Sequence, residues 1–379
     1  MDFRLSDEHE MIRKMARDFA NNEILPYCQK WDEEHIFPWE AVKKLQETGL
    51  MTCGVPEEYG GPGIDHLGQA IICEEIARGD AGLATTLAAN TLLGPDPVYI
   101  AATDEQKKWW YGLQNDGLLS AFCLTEPGAG SDAGGLSTKC VKDGDDYILN
   151  GTKQFISNGA VAGLYTVFAT LDKKMGAKGM CAFMVDRATP GISVSPPENK
   201  LGIRSSNTTQ VIFEDVRVPA KNLLGKEGDG FKICMKTLDI SRAVVGAMAT
   251  GIAQGAMECA VQYAKDRQQF GKPIATFQGI QFMLADMAVL VETARLLYQK
   301  AASNQDQGIP YTREASLAKY WGGEAAMRVA DDALQIHGGY GYTKEYMVEK
   351  YFRDAKIYQI FEGTAQVQKI VIAGDLLRA

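Results

Sequence analysis

The sequence predicts an α+β multidomain chain in three parts: an N-terminal helical domain (1–117), a middle β-barrel-like domain (118–227) and a C-terminal four-helix bundle (228–379). Three observations predict it. Apolar residues recur at three- and four-residue spacing in the first and last parts. The middle part consists of short β-branched and aromatic runs separated by glycine and proline. A length of 379 residues is too great for one small core and suits a few closely packed domains.

In the first part Met11, Ile12, Met15, Ala16 and Phe19 fall on one helical face, and Pro38, Pro56, Pro62, Pro95 and Pro97 punctuate the helices that follow. In the middle, Tyr147-Ile148-Leu149, Tyr165-Thr166-Val167-Phe168, Cys181-Ala182-Phe183-Met184-Val185 and Val211-Ile212-Phe213 read as strands, with Gly144, Gly151, Gly163 and Pro190 between them. The helical period then returns over 231–267, 277–305, 313–337 and 346–358. Within the first of these, residues 243–257 carry no charge but are broken by Thr250 and Gln254. The stretch is shorter than the roughly 20 residues of a membrane span. Gly246, Gly251 and Gly255 suit a buried helix pressed against a neighbour.

The hydrophobic and charged fractions, 46% and 23%, are those of a globular protein rather than a disordered or fibrous one. A net charge of −9 argues against a nucleic-acid surface. The eight cysteines are scattered without a CxxC pair and read as reduced, mostly buried thiols, and no Cys/His spacing points to a metal. The first residues carry acidic groups and no apolar core, so no signal or transit peptide is expected and the expected location is cytoplasmic.

Five segments could carry chemistry. In LTEPGAGSDAGG the glycines allow close approach of a ligand and the hydroxyls can bind carbonyls or phosphates, although a Pro-Gly surface turn accounts for the same letters. In NGTKQFISNG, Phe155 could face a flat ring or be an ordinary core residue. Asp239 and Arg242, followed by Arg267 and Gln278, could hold phosphates, or the arginines could be solvated at helix ends. In QIHGGYGY the glycines end a helix, and His337 has no nearby ligand set among the chain's four histidines, so a structural role is expected for it. In YQIFEGTAQVQ, Glu362 sits between an apolar stretch and Gly363, just before a helix that Thr364 can cap. A carboxylate in such a setting should have a raised pKa, as a carbon-acid base requires; a solvated Glu at a turn is the alternative.

Taken in order along the whole chain, these segments, with MDFRLSDEHEMIRKMARDFA, GIRSSNTTQVIFEDVRVP and YAKDRQQFGKPI, resemble the acyl-CoA dehydrogenase family, most closely its short- and medium-chain members. The resemblance implies an FAD held between the β domain and the C-terminal bundle. Phe122, Leu124, Thr125, Gly130, Ser131, Phe155, Ile156 and Ser157 would line it, with Thr364 and Gln366 touching it. Phe270 would also bind FAD, and Arg267, Gln278, Gln335, Gly338 and Gly339 would reach the FAD of a neighbouring subunit in a homotetramer built as a dimer of dimers. Ser131, Asp239, Arg242 and Gly363 would lie near the CoA moiety.

Some branches place the base one residue before the bundle arginine; Ser241 stands there, which leaves Glu362 as the base. Phe155 stands where most relatives have Trp. The resemblance further implies oxyanion stabilisation by the Glu362 backbone N–H and a flavin hydroxyl, a 2-enoyl-CoA product, and an electron-transfer flavoprotein as acceptor. An enoyl-CoA reductase working in reverse and a flavin oxidase are the alternatives. A non-catalytic scaffold would be expected to lack Glu362 or the flavin arginine. The acyl tail is expected against residues 87–98, where Asp96, between two prolines, reads as a surface turn residue. Were Asp96 to face the pocket, a compact, branched or alicyclic acyl group or an unusual proton-transfer role would follow.

Overall fold

The structure is a computed structural model and describes residues 4–378; the first three residues of the opening motif lie outside that range. Ser6 accepts from the His9 amide at 3.2 Å and caps α1 (Asp7–Phe19), whose first turn carries Asp7, Glu8 and Glu10 at the positive end of the helix. Short helices α2 (Cys28–Glu33) and α3 (Trp39–Glu47) follow. Asp65 caps α4 (His66–Gly79) and Asp80 caps α5 (Ala81–Ala88). After a wide turn at Ala89–Leu93 the chain forms α6 (Asp96–Ala101), and a Thr103/Gln106 capping box starts α7 (Asp104–Asn115).

The middle region is one mixed eight-stranded sheet: β1 (Ser120–Cys123), β2 (Lys139–Asp143), β3 (Asp146–Ser157), β4 (Leu164–Thr170), β5 (Met180–Asp186), β6 (Ile192–Val194), β7 (Thr208–Pro219) and β8 (Leu223–Leu224). Its hydrogen-bonded order is β6-β7-β3-β2-β4-β5-β8, with β1 parallel to β4. All seven residues of β4 are buried, as expected of a strand covered on both faces. The β3–β7 register slips between Lys153 and Ile156, and this irregularity puts Phe155 at φ 56°.

The C-terminal region contains α8 (Gly230–Asp266), a hairpin of β9 (Gln268–Gln269) and β10 (Lys272–Pro273), α9 (Gln278–Asp306), α10 (Thr312–His337), α11 (Val348–Ala355) and α12 (Ala365–Leu376). The period over 346–358 predicts one longer helix. Instead α11 stops at Ala355 and the next turn, Lys356–Gln359, tightens to 3₁₀ with Tyr358 fully buried.

Helix α8 is the axis of the molecule, packed by α4, α9 and α10. It is the one helix among the described residues long and apolar enough to cross a membrane, but 72% of its apolar window is buried within the protein. Its glycines explain the close packing: a Cβ on Gly246 would stand 2.9 Å from the Ala318 carbonyl, one on Gly251 2.1 Å from the Glu74 oxygen, and one on Gly255 2.5 Å from the Tyr351 hydroxyl. Gly251→Ala therefore pushes α8 away from α4 and is expected to destabilise the fold by about 1–3 kcal/mol, read by thermal unfolding. All eight cysteines are free thiols, seven of them buried.

Candidate active site

Glu362 lies on the turn between the 3₁₀ segment and α12, with Thr364 accepting from the Val367 amide at 3.3 Å as the helix cap. Glu362 adopts φ 52° and Gly363 φ 89°. A left-handed conformation is unfavourable for a side chain such as Glu and persists only where the surroundings fix it. Here Lys319 of α10 donates to the Gly363 carbonyl at 2.7 Å, and Gln368 donates to the Gly363 and Glu362 carbonyls at 3.1 and 3.4 Å. These contacts aim the carboxylate towards α8, where the Ser241 hydroxyl donates to Glu362 Oε2 at 2.5 Å.

Burial pushes the Glu362 carboxyl up. The Ser241 hydrogen bond and the Lys319 and Arg242 charges oppose this, and the net value stays above the ordinary carboxylate range. Burial also lowers Lys319 to about 8, against the attraction of Glu362. Arg242 is not solvated at a helix end. It is buried within α8, paired with Asp239, and its Nε has no hydrogen-bond partner among the described residues. Thr312 donates to the other Asp239 oxygen at 2.9 Å.

Asp96 corrects the surface-turn expectation. Its residue is 8% exposed, and Oδ2 is buried without a hydrogen-bond partner. Pro95 and Pro97 turn the chain into α6, which packs on α8 and takes Asp96 inward. Burial and the negative charge of Glu362 push its carboxyl well above the ordinary range.

In the sheet region, the arm after β1 is tied to β3 by the Gln154 amide, which donates to the Thr125 carbonyl at 2.8 Å. Beneath it Lys153, fully buried, donates to Glu126 Oε1 at 2.8 Å and to the Leu124 carbonyl at 3.1 Å. Glu126 also accepts from the Ser137 and Thr138 amides at 2.6 and 2.9 Å. Burial raises the Glu126 carboxyl, but the Lys153 charge and these donors outweigh it and hold it at about 2. These bonds hold Leu124, Thr125 and Glu126 of the arm against Lys153 and Gln154, the residues just before Phe155, Ile156 and Ser157. Ile156 is core, whereas Phe155 is 62% exposed and not the core residue its strand position allows.

A separate cleft of about 600 Å³ is lined by Arg267, Phe270, His337, Gly338, Gly339 and Tyr340, among others. Phe270, at φ 52° on the β9–β10 turn, is 92% exposed, and Arg267 lies over the Tyr340 ring at 5.4 Å with no ion pair among the described residues. His337 is structural: its Nδ1 is 2.8 Å from the Ala333 carbonyl and its ring stacks on Tyr263. Gln278 and Gln335 are exposed nearby, at the start of α9 and in the last turn of α10, outside the cleft lining. The cleft and the Glu362 turn meet α10 at opposite ends; Lys319 and His337 are about 27 Å apart along its axis. Gln366 is exposed on the first turn of α12.

The sequence matches the acyl-CoA dehydrogenase N-terminal domain over residues 6–113, the middle domain over 121–216 and the C-terminal domain over 228–377. The chain belongs to the acyl-CoA dehydrogenase family. It is 48% identical to the acryloyl-CoA reductase (NADH) of Anaerotignum propionicum over 100% of this chain and 96% of that protein. It is 45% identical to the mitochondrial short-chain specific acyl-CoA dehydrogenase of Rattus norvegicus over 99% and 91%. The butyryl-CoA dehydrogenase of Megasphaera elsdenii superposes with a TM-score of 0.97 at 45% identity, covering both chains fully.

Members of the family are FAD-dependent oxidoreductases. The residues present fit that cofactor: Phe155 offers an exposed aromatic face beside Thr125 and Ser157, and Arg267 is a cation without a carboxylate partner in an open cleft. Sequence reasoning missed Lys319, Gln368 and the Lys153–Glu126 pair. Lys319 had one signal, a lone charge among Ala315, Ala318, Gly322 and Gly323 on a small-residue face.

Proposed function

We propose that this acyl-CoA dehydrogenase acts on short or medium, branched or alicyclic acyl-CoA thioesters, and that Glu362 removes the α-proton to give a 2-enoyl-CoA. The observation that carries this reading is the half-buried carboxyl held in a strained turn by Lys319 and Gln368, aimed at the α8 face that bears Ser241 and Arg242. Burial raises the affinity of Glu362 for a proton, which a carbon-acid base needs. Its own turn is expected to place a backbone N–H at the thioester oxygen. Bound between these residues, FAD would supply the acceptor for the β-hydrogen, taken as hydride. Asp239, Arg242, Ser131 and Gly363 are assigned to the CoA end.

Electrons are expected to pass to an electron-transfer flavoprotein. The 48% identity to an acryloyl-CoA reductase favours one second reading, the reverse direction, in which the protonated Glu362 returns a proton to Cα. A yellow holoenzyme that bleaches anaerobically with butyryl-CoA supports the dehydrogenase reading. Flavin that is bleached only by an external reductant and reoxidised by acryloyl-CoA supports the reductase, and no response to either thioester contradicts both.

The cleft at Arg267 lies far from Glu362 along α10, which supports its assignment to a partner's FAD in a homotetramer. Arg267→Ala removes a charge-assisted contact worth about 1.5–3 kcal/mol and is expected to lower the flavin-to-protein ratio after gel filtration. A monomer that keeps full FAD contradicts the assignment.

A further inference from the structure

Around Asp96 the protein leaves several polar groups without partners. Asp96 Oδ2 is buried and unbonded, and no hydrogen bond reaches its other oxygen among the described residues. Tyr111 on α7 and Tyr311 just before α10 lie within electrostatic range of Asp96, and neither hydroxyl has a hydrogen-bond partner there either. A carboxyl that is more than nine-tenths buried and unbonded is costly to keep, and a straight alkyl chain packed against it would not relieve that cost. Glu362, whose charge reaches Asp96, is held by the Ser241 hydroxyl; Asp96 has no such partner among the described residues.

We propose that Asp96 is a specificity-determining residue that selects short acyl-CoA thioesters bearing a hydroxyl or oxo group on a carbon beyond Cβ. The inference rests on the reading that the acyl chain runs from Glu362 towards residues 87–98. Burial first, and then the Glu362 charge, push the Asp96 carboxyl well above the ordinary range, and in its protonated form it presents one O–H donor and one carbonyl acceptor. A carboxylate on the acyl chain would meet no cation here, since the basic groups of the site, Lys319 and Arg242, lie on the Glu362 side. A neutral oxygen satisfies the Asp96 donor, with Tyr111 and Tyr311 as further partners. Sites built to bond a substrate hydroxyl discriminate strongly against analogues that lack it.

The test compares dissociation constants of 4-hydroxybutyryl-CoA and butyryl-CoA, read from perturbation of the flavin spectrum in the Glu362→Gln holoenzyme, so that turnover does not intervene. The CoA part is common to both and cancels in the ratio. The expected result is binding of the hydroxylated thioester about tenfold or more tighter. Asp96→Asn, which keeps a donor and an acceptor, retains the preference, and Asp96→Leu abolishes it. Equal binding of the two thioesters, or an unchanged preference in Asp96→Leu, overturns the proposal. Should Asp96→Leu not hold FAD, Asp96→Ala is read in the same way: loss of the preference supports the proposal, and an unchanged preference overturns it. Failure of the dehydrogenase reading would instead appear as absence of bleaching in the unsubstituted enzyme, which this binding ratio does not measure.

Discussion

Glu362→Gln slows flavin bleaching by butyryl-CoA by about 100- to 10,000-fold, the contribution of a positioned general base, with FAD content and folding retained. Gln keeps the size and the hydrogen bond from Ser241, and the turn is held by backbone carbonyls that the substitution does not touch. The effect is therefore on proton transfer rather than on the fold. In the unsubstituted enzyme the bleaching rate rises with pH through the raised value of Glu362 and levels off above it, because only the ionised carboxylate accepts the α-proton. That limb is absent in Glu362→Gln. Stopped-flow absorbance of the flavin over a pH series measures both.

Lys153→Met is expected to destabilise the middle domain by about 3–5 kcal/mol, since removing one member of a buried ion pair leaves the other charge uncompensated. Glu126 would keep the Ser137 and Thr138 amides but lose the cation that offsets its burial, and the Leu124 carbonyl would lose its donor. The arm from Phe122 to Ser131 rests on this pair, so FAD content falls together with the unfolding temperature. The double variant Lys153→Met/Glu126→Gln recovers part of the loss, and the double-mutant cycle isolates the pair from its neighbours. A Lys153→Met enzyme with unchanged flavin content and melting temperature would remove this pair from the account of the flavin arm.

The three-part architecture was legible because its signal is periodic: the helical period of 231–267 and the strand texture of 147–149 and 165–168 each correspond to a buried face. Glu362 was legible for a different reason, its position between an apolar run and a Gly-Thr helix start. Asp96 was not, since two flanking prolines are the pattern of a surface turn, and only the packing of α6 on α8 takes the carboxyl inward. The Lys153–Glu126 pair joins two strands through the interior, and nothing local in NGTKQFISNG marks its lysine as fully buried. Phe155 depends on a register slip between β3 and β7, which is set by pairing at a distance and not by the residue itself.

The most direct test of the account is exchange of the α-hydrogen of butyryl-CoA with deuterated solvent, followed by NMR in the FAD-loaded enzyme and in Glu362→Gln. Exchange is expected in the unsubstituted enzyme and none in the variant, with the thioester still bound by both. Exchange that continues at a similar rate in Glu362→Gln would contradict it and move the search for the base to Asp96 or Asp239.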